Sequence, residues 1–283
     1  MHGTNTNHYS ANTEKPKEKK AIVFLCKTPH KNTIDFAVTL GEQQDFDIYI
    51  VVDDMTPLET VENVRFIQIS DIECITTGYF NSNINDSATH IKKNPIAWDK
   101  FCLHFCEKDK SYDYVWVFED DVFIPSADTI RNLHEGYSKY DLVVPNNECK
   151  EDLTVLDWHW KHIIGKTRPP FHYSMVCAMG LSKGVLKVVR EYVFQRKTLF
   201  YIEVMFNTLS MQRGLHVIAP LELKSIVWEG EWDMDEFIQL PNNVFHPRKD
   251  IENHPKLREQ IIICTAENYI PQKELPQFIL NVM

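Results

Sequence analysis

The chain has 283 residues, 43% of them hydrophobic and 12% aromatic, with 30 Lys and Arg against 40 Asp and Glu and a formal net charge of −10. That composition excludes whole-chain disorder, and nine glycines exclude a collagen-like or Gly-rich low-complexity chain. The acid excess argues against a broad nucleic-acid surface, which needs a dense basic patch, although a local patch is enough to hold a nucleotide.

Residues 1–18 are polar and read as a flexible tail without a secretory apolar segment. AIVFLC, from Ala21, is a continuous apolar run and predicts a buried strand. NTIDFAVTLGEQQ follows as a helix that Asn32 is placed to cap. DIYIVVDD is a second strand ending in Asp53 and Asp54, and FIQIS is a third. The interval 71–94 has few periodic signals and predicts a loop or irregular lid. PIAWDKFCLHFCEKDK reads as a helix with Pro95 near its first turn. DYVWVFEDD is a fourth strand, SADTIRNLHEGY a helix capped by Ser126, and DLVVP a fifth strand. Strand and helix alternate through this half, which predicts an α/β fold with a mostly parallel central sheet flanked by helices.

The second half is less regular. It carries the aromatic run VLDWHW, the apolar segment SMVCAMGLS and the helix KGVLKVVREYVF. A helix from Glu203 to Arg213, a short strand HVIAP, the segment SIVWEGEWD and a tail helix from Pro255 to Cys264 complete it. The simplest organisation is a tail over 1–18 and one domain over 19–283. No apolar run approaches the roughly 20 residues that span a bilayer. The seven cysteines are scattered, with no CxxC pair. They read as reduced thiols, several of them small core hydrophobes, in a soluble cytoplasmic protein.

The informative segment is Tyr114–Phe118, which carries no charge and is followed at once by Glu119, Asp120 and Asp121. A strand without charge is covered on both faces and central in its sheet. In open α/β sheets ligands collect beyond the carboxyl ends of the strands. Three adjoining carboxylates repel one another, and a divalent cation relieves that repulsion. In extended backbone Glu119 and Asp121 point one way and Asp120 the other, and paired oxygen ligands suit Mg²⁺ or Mn²⁺. The plain alternative is a solvated acidic turn that leads into the next helix.

VWVFEDDV resembles the DxD-type motif of the GT-A fold glycosyltransferases, several of which write it as EDD. The order of other segments extends the likeness from about Lys20 to Lys249: CKTP after the first strand, Asp53-Asp54 after the second, AWDK before the acidic strand, CAMGLS, Glu203 at the head of a late helix, and FHPR. The resemblance implies a GT-A-like, Rossmann-like domain with a nucleotide-sugar half over about 19–125, an acceptor half over about 126–250, and a C-terminal helix and tail over 251–283. It implies transfer of a sugar from a nucleotide-sugar donor, read as a UDP-sugar, to a carbohydrate or glycoconjugate acceptor, with inversion.

On that resemblance Asp121 and His246 hold Mn²⁺ or Mg²⁺, with imidazole tilting the preference to Mn²⁺. Thr28, Asp53, Lys100, Glu119 and Asp120 contact the donor, and Glu203 is the base. Trp158, Trp160, Trp228, Trp232 and Asp233 offer rings and an acid to the acceptor. Each has an ordinary structural alternative: Asp53 as a turn former, Lys100 on a solvated helix face, Glu203 at a helix start that favours acids, the tryptophans as packing. Two other functions remain open. One is a non-catalytic carbohydrate- or nucleotide-binding protein of the same fold. The other is a sugar nucleotidyltransferase, which calls for a Gly-rich loop that CKTPHKN lacks.

Overall fold

The computed structural model describes residues 17–81, 85–86, 91–92, 94–152, 160–267, 269–271, 275–276 and 279, with the backbone alone at 85–86, 91–92 and 161–162. The AIVFLC segment forms β1 (Lys20–Cys26), which leads through α1 (Lys31–Glu42) to β2 (Asp47–Val52). The two strands pair in parallel from Ala21 opposite Asp47 to Cys26 opposite Val52, and β3 (Val64–Gln68) adds in parallel beyond β2. Next come α2 (Asp71–Thr77), a small hairpin of β4 (Asn85–Asp86) and β5 (Ile91–Lys92), α3 (Ala97–Cys102) and a π-helical continuation over Leu103–Lys108.

The charge-free segment forms β6 (Tyr114–Glu119) and pairs in parallel with β1. α4 (Ala127–Tyr137), β7 (Leu142–Val143) and a second hairpin of β8 (Glu148–Lys150) with β9 (Phe171–Tyr173) follow. β10 (Ala178–Ser182), α5 (Lys183–Arg196), α6 (Ile202–Gln212), β11 (Val217–Ile218), α7 (Met234–Gln239) and α8 (His254–Ala266) complete the order. The main sheet runs β11-β7-β10-β6-β1-β2-β3, and of these seven β10 alone is antiparallel to its neighbours. This is the α/β architecture, with a mostly parallel central sheet, that the alternation of elements predicts.

β6 sits between β1 and β10 and is buried on both faces. Tyr114, Trp116 and Phe118 pack with Ile22, Phe24 and Ile50 under α1 and α4, through Phe36, Leu40, Ile130 and Leu133. Val115 and Val117 face the opposite layer, where Phe101, Val189 and Phe206 from α3, α5 and α6 cover them. Burying each such side chain contributes roughly 1.5–3 kcal/mol, so this strand is the fixed centre of the fold. Because β10 runs the other way, its start lies beside the end of β6. Glu119 N donates to the carbonyl of Cys177 at 2.8 Å.

The C-terminal segment then crosses the same end of the sheet. Phe123 and Phe245 exchange backbone hydrogen bonds at 2.8 and 2.9 Å, and Arg248 N donates to the Asp121 carbonyl at 2.8 Å. A third cluster, including Phe123, Trp232, Phe237, Phe245 and Ile261, holds that strap in place.

Two expectations are corrected. α1 is capped by His30, whose Nδ1 accepts from Asn32 N at 3.2 Å, while the Asn32 amide donates to the carbonyls of Ile251 and Glu252. The interval 71–94 is not loop throughout. Ser70 caps α2 by accepting from Glu73 N, and Gly78 ends it at φ 85°, where a side chain is strained. Among the described residues no helix is long and apolar enough to cross a membrane.

Gly180 faces Trp116 across the β6–β10 pair, and a methyl there would lie 2.8 Å from Tyr114 Oη and 3.0 Å from the Trp116 ring. Both rings are fully buried and have no room to withdraw. Gly180→Ala should therefore lower stability by roughly 1–3 kcal/mol, read as a reduced urea midpoint at unchanged slope.

Candidate functional site

The carboxyl ends of β1, β2 and β6 and the start of β10 share one edge of the sheet. At the β1–β2 tips, Asp53 N donates to the Cys26 carbonyl at 2.9 Å and Asp54 N to the Lys27 carbonyl at 3.2 Å. The Thr28 hydroxyl donates to Asp54 Oδ2 at 2.6 Å, a bond that holds the Asp54 carboxyl below its ordinary range. Lys100 is fully buried. Its ammonium bonds the Asp53 carbonyl and lies 3.3 Å from both Asp53 Oδ1 and Asp71 Oδ1. It therefore fixes Asp53 from beneath and stands on no solvated face, contrary to one expectation.

The acidic trio divides through a turn and not through the extended backbone that alternation requires: β6 ends at Glu119, and Val122 N donates to the Glu119 carbonyl at 3.1 Å. Glu119 accepts from Trp98 Nε1 at 2.7 Å. Asp121 Oδ2 lies 3.5 Å from His246 Nε2. Asp120 belongs to the β1 side: its N–H donates to the Leu25 carbonyl at 3.2 Å, and its charge bears on the buried Cys26 thiol, which burial first and Asp120 second push up. Burial, then Asp121 and Glu119, push Asp120 up to about 6, the signature of crowded carboxylates.

His246 arrives on the C-terminal strap. Its Nδ1 lies 2.8 Å from the Val227 carbonyl. A carbonyl only accepts, so Nδ1 carries the proton and Nε2 is the nitrogen that faces the acids. Burial disfavours the charged imidazole, but Asp121 and the Val227 carbonyl outweigh it, and its pKa is raised.

Among the described residues, one group of at least three potential metal ligands has its donor atoms within 4.8 Å of one another: Glu119, Cys177 and His246. Of the two expected ligands, His246 is in this group and Asp121 is not, while Glu119, expected at the donor, is. Cys177 was not expected, because a cysteine in an apolar segment reads as packing. Burial, then Glu119, push its thiol up, so without a cation it keeps its proton. The set offers one oxygen, one sulfur and one nitrogen, whereas Mg²⁺ calls for oxygen donors. The residues fit a divalent ion that accepts nitrogen and sulfur.

Beside this cluster lies a cleft of about 740 Å³, lined by Pro145, Asn146, Glu148, Trp160, Tyr173, Met175, Glu203, Lys224, Ile226, Val227 and Trp228. Glu203 opens α6 and its carbonyl accepts from Ser174 N at 2.9 Å. Burial pushes its carboxyl up to about 7, against a hydrogen bond with Tyr201 and with help from Glu119. Trp160 packs edge-on against Tyr173 at 5.5 Å between centroids. Trp228 is 70% exposed and also borders a depression along Pro247–Asp250.

Trp232 departs from expectation. It is buried against Phe245, and its Nε1 donates to the His246 carbonyl at 3.0 Å, so it holds the strap instead of meeting an acceptor. Asp233 caps α7 by accepting from Asp235 N at 3.0 Å. Trp158 lies outside the described residues. Sequence reasoning missed Trp98 as the partner of Glu119, since nothing in AWDK marks which acid its indole meets.

No protein-family model matches the chain, and no curated protein does. Among solved structures 45 chains match. One is the crystal structure of mouse xyloside xylosyltransferase 1 in its apo form, 12% identical with a TM-score of 0.34 over 71% of this chain and 85% of that one. Likeness at that level carries no argument about function.

Asp99 gives a pH prediction. Its carboxyl accepts from Ile96 N at 2.9 Å and Asn81 N at 3.3 Å, and burial outweighs these bonds to push it from 3.8 up to about 7. The folded state thus binds a proton that the unfolded state releases near pH 4. The contribution is complete below the unfolded value and is lost as pH rises through about 7, at a cost on the order of 1–4 kcal/mol. Asp99→Asn removes the titration and keeps one acceptor oxygen for the two N–H groups, so the bond it loses costs the same at every pH. Thermal melts from pH 4 to 8 should show the variant gaining on the wild type as pH rises. A constant gap would contradict the assignment.

Proposed function

We propose that the chain is a metal-dependent glycosyltransferase that moves a sugar from a nucleotide-sugar, read as a UDP-sugar, to a carbohydrate or glycoconjugate acceptor. The observation that carries this reading is the convergence of Glu119, Cys177 and His246 at the end of the central strand, beside a cleft that has Glu203 in its wall. The β1 and β2 tips, with Thr28 and Asp53, lie on one side of the acids and suit a nucleoside. The cleft on the other side suits a sugar acceptor, with the exposed Trp228 ring and the Trp160–Tyr173 pair to pack against its apolar faces.

Each residue then has a task. Glu119 and His246, with Cys177, hold a divalent ion, and Asp121 steadies the imidazole. When bound, that ion neutralises the negative charge that develops on the departing diphosphate. Lys100 and Thr28 orient the carboxylates at the β1–β2 tips. Glu203 takes the proton from the acceptor hydroxyl as its oxygen attacks the anomeric carbon, which inverts that centre.

Release of nucleoside diphosphate from a panel of nucleotide-sugars, with Mn²⁺, Mg²⁺ or Zn²⁺ supplied in turn, tests the reading. A UDP-sugar is expected to turn over only with a divalent ion. Glu203→Gln should lower turnover by about 10²–10⁴-fold while UDP still raises the melting temperature. Equal turnover in the variant contradicts the base, and no turnover with any donor contradicts the activity.

A further inference from the structure

Cys177 packs in the hydrophobic layer that holds Phe118 and Ile226, and its thiol also bonds Glu119. Its backbone carbonyl is tied to Glu119 N at 2.8 Å, which fixes the thiol beside that carboxylate. His246 is delivered by an unrelated stretch of chain, through the Phe123–Phe245 backbone pair. Three separate segments therefore place sulfur, oxygen and nitrogen donors within 4.8 Å of one another. Two of the three also have the outer partner that metal ligands use to hold their orientation. The Val227 carbonyl holds His246 Nδ1 at 2.8 Å, and the Trp98 indole holds one Glu119 oxygen at 2.7 Å. His246 Nε2, which faces Asp121 at 3.5 Å, and the Glu119 carboxylate, which accepts from the Cys177 thiol, are the atoms an ion would take over.

We propose that Glu119, Cys177 and His246 form a three-ligand zinc site with a fourth position open, so that the cysteine is a ligand and the resident ion is Zn²⁺. A thiolate and an imidazole favour Zn²⁺ over Mn²⁺, which stands lower in the affinity series and prefers oxygen. Three protein ligands and one open position is the arrangement of zinc sites that act on a substrate. Asp121, 3.5 Å from Nε2, lies close enough to balance the ion's charge. Binding moves the thiol proton to solvent, and no oxidation or reduction is involved. In one respect the proposal rests on the function above: the open position would take a phosphate oxygen of the donor. The metal site itself does not depend on that.

Cobalt spectroscopy on the full chain tests it. Protein freed of metal by chelation is titrated with Co²⁺. An intense near-ultraviolet sulfur-to-cobalt charge-transfer band is expected, bleached by Zn²⁺ and not by excess Mn²⁺. Cys177→Ser should abolish the band, while Cys149→Ser, at an exposed thiol, should leave it intact. A weak spectrum without that band, or a band that survives in Cys177→Ser, overturns the proposal. X-ray absorption of the zinc-loaded wild type needs no variant. A sulfur neighbour at about 2.3 Å supports the site, and a shell of nitrogen and oxygen alone overturns it. Neither readout involves a sugar donor. A cobalt band without sugar transfer therefore refutes the function alone, and sugar transfer without the band refutes the thiol ligand alone.

Discussion

Glu119, Asp120 and Asp121 are held side by side at the end of a strand that is buried on both faces. Aromatic and aliphatic packing around Tyr114–Phe118 fixes where that strand stops, so the acids cannot separate without disturbing the centre of the sheet. Their mutual repulsion is met locally. The Trp98 indole donates to Glu119, and the His246 imidazole faces Asp121. These partners offset the crowding without removing it, since Asp120 is still pushed up to about 6. A site that concentrates negative charge at fixed positions is prepared for a cation.

The reversed strand β10 is the second determinant. Were it parallel, its start would lie at the other end of the sheet and Cys177 would be far from Glu119. Its direction also sets α5 and α6 against the β6 layer, which brings Glu203 to the same edge as the acids. The C-terminal strap closes the arrangement from the far end of the sequence. Trp232, Phe237 and Phe245 pack beneath it, so substitutions there should act on the site through the position of His246.

Much of this was legible in the sequence, and the reasons differ by element. β1, β2 and β6 announce themselves because a strand covered on both faces must be apolar without interruption. The acid trio stands out because three carboxylates follow a charge-free strand without a break. Proximity of His246 to Asp121 followed from a resemblance, since no local pattern links residues 125 apart. α2 was missed although its signal is present: Ser70-Asp71-Ile72-Glu73 has the spacing of a capping box and Gly78 marks the end. Asn32 has a side chain usual at a cap, but the helix already begins at Lys31, so His30 holds that position. Cys177 and the burial of Lys100 and Trp232 were beyond the sequence. Each depends on which distant segment covers the residue, and composition carries no record of that.

Calorimetric titration of UDP into the full chain, with a divalent ion and again with chelator, tests the central claim most directly. The account predicts binding that requires the ion and that Asp121→Ala weakens in a variant that still melts cooperatively. UDP binding of equal strength with chelator present would contradict it.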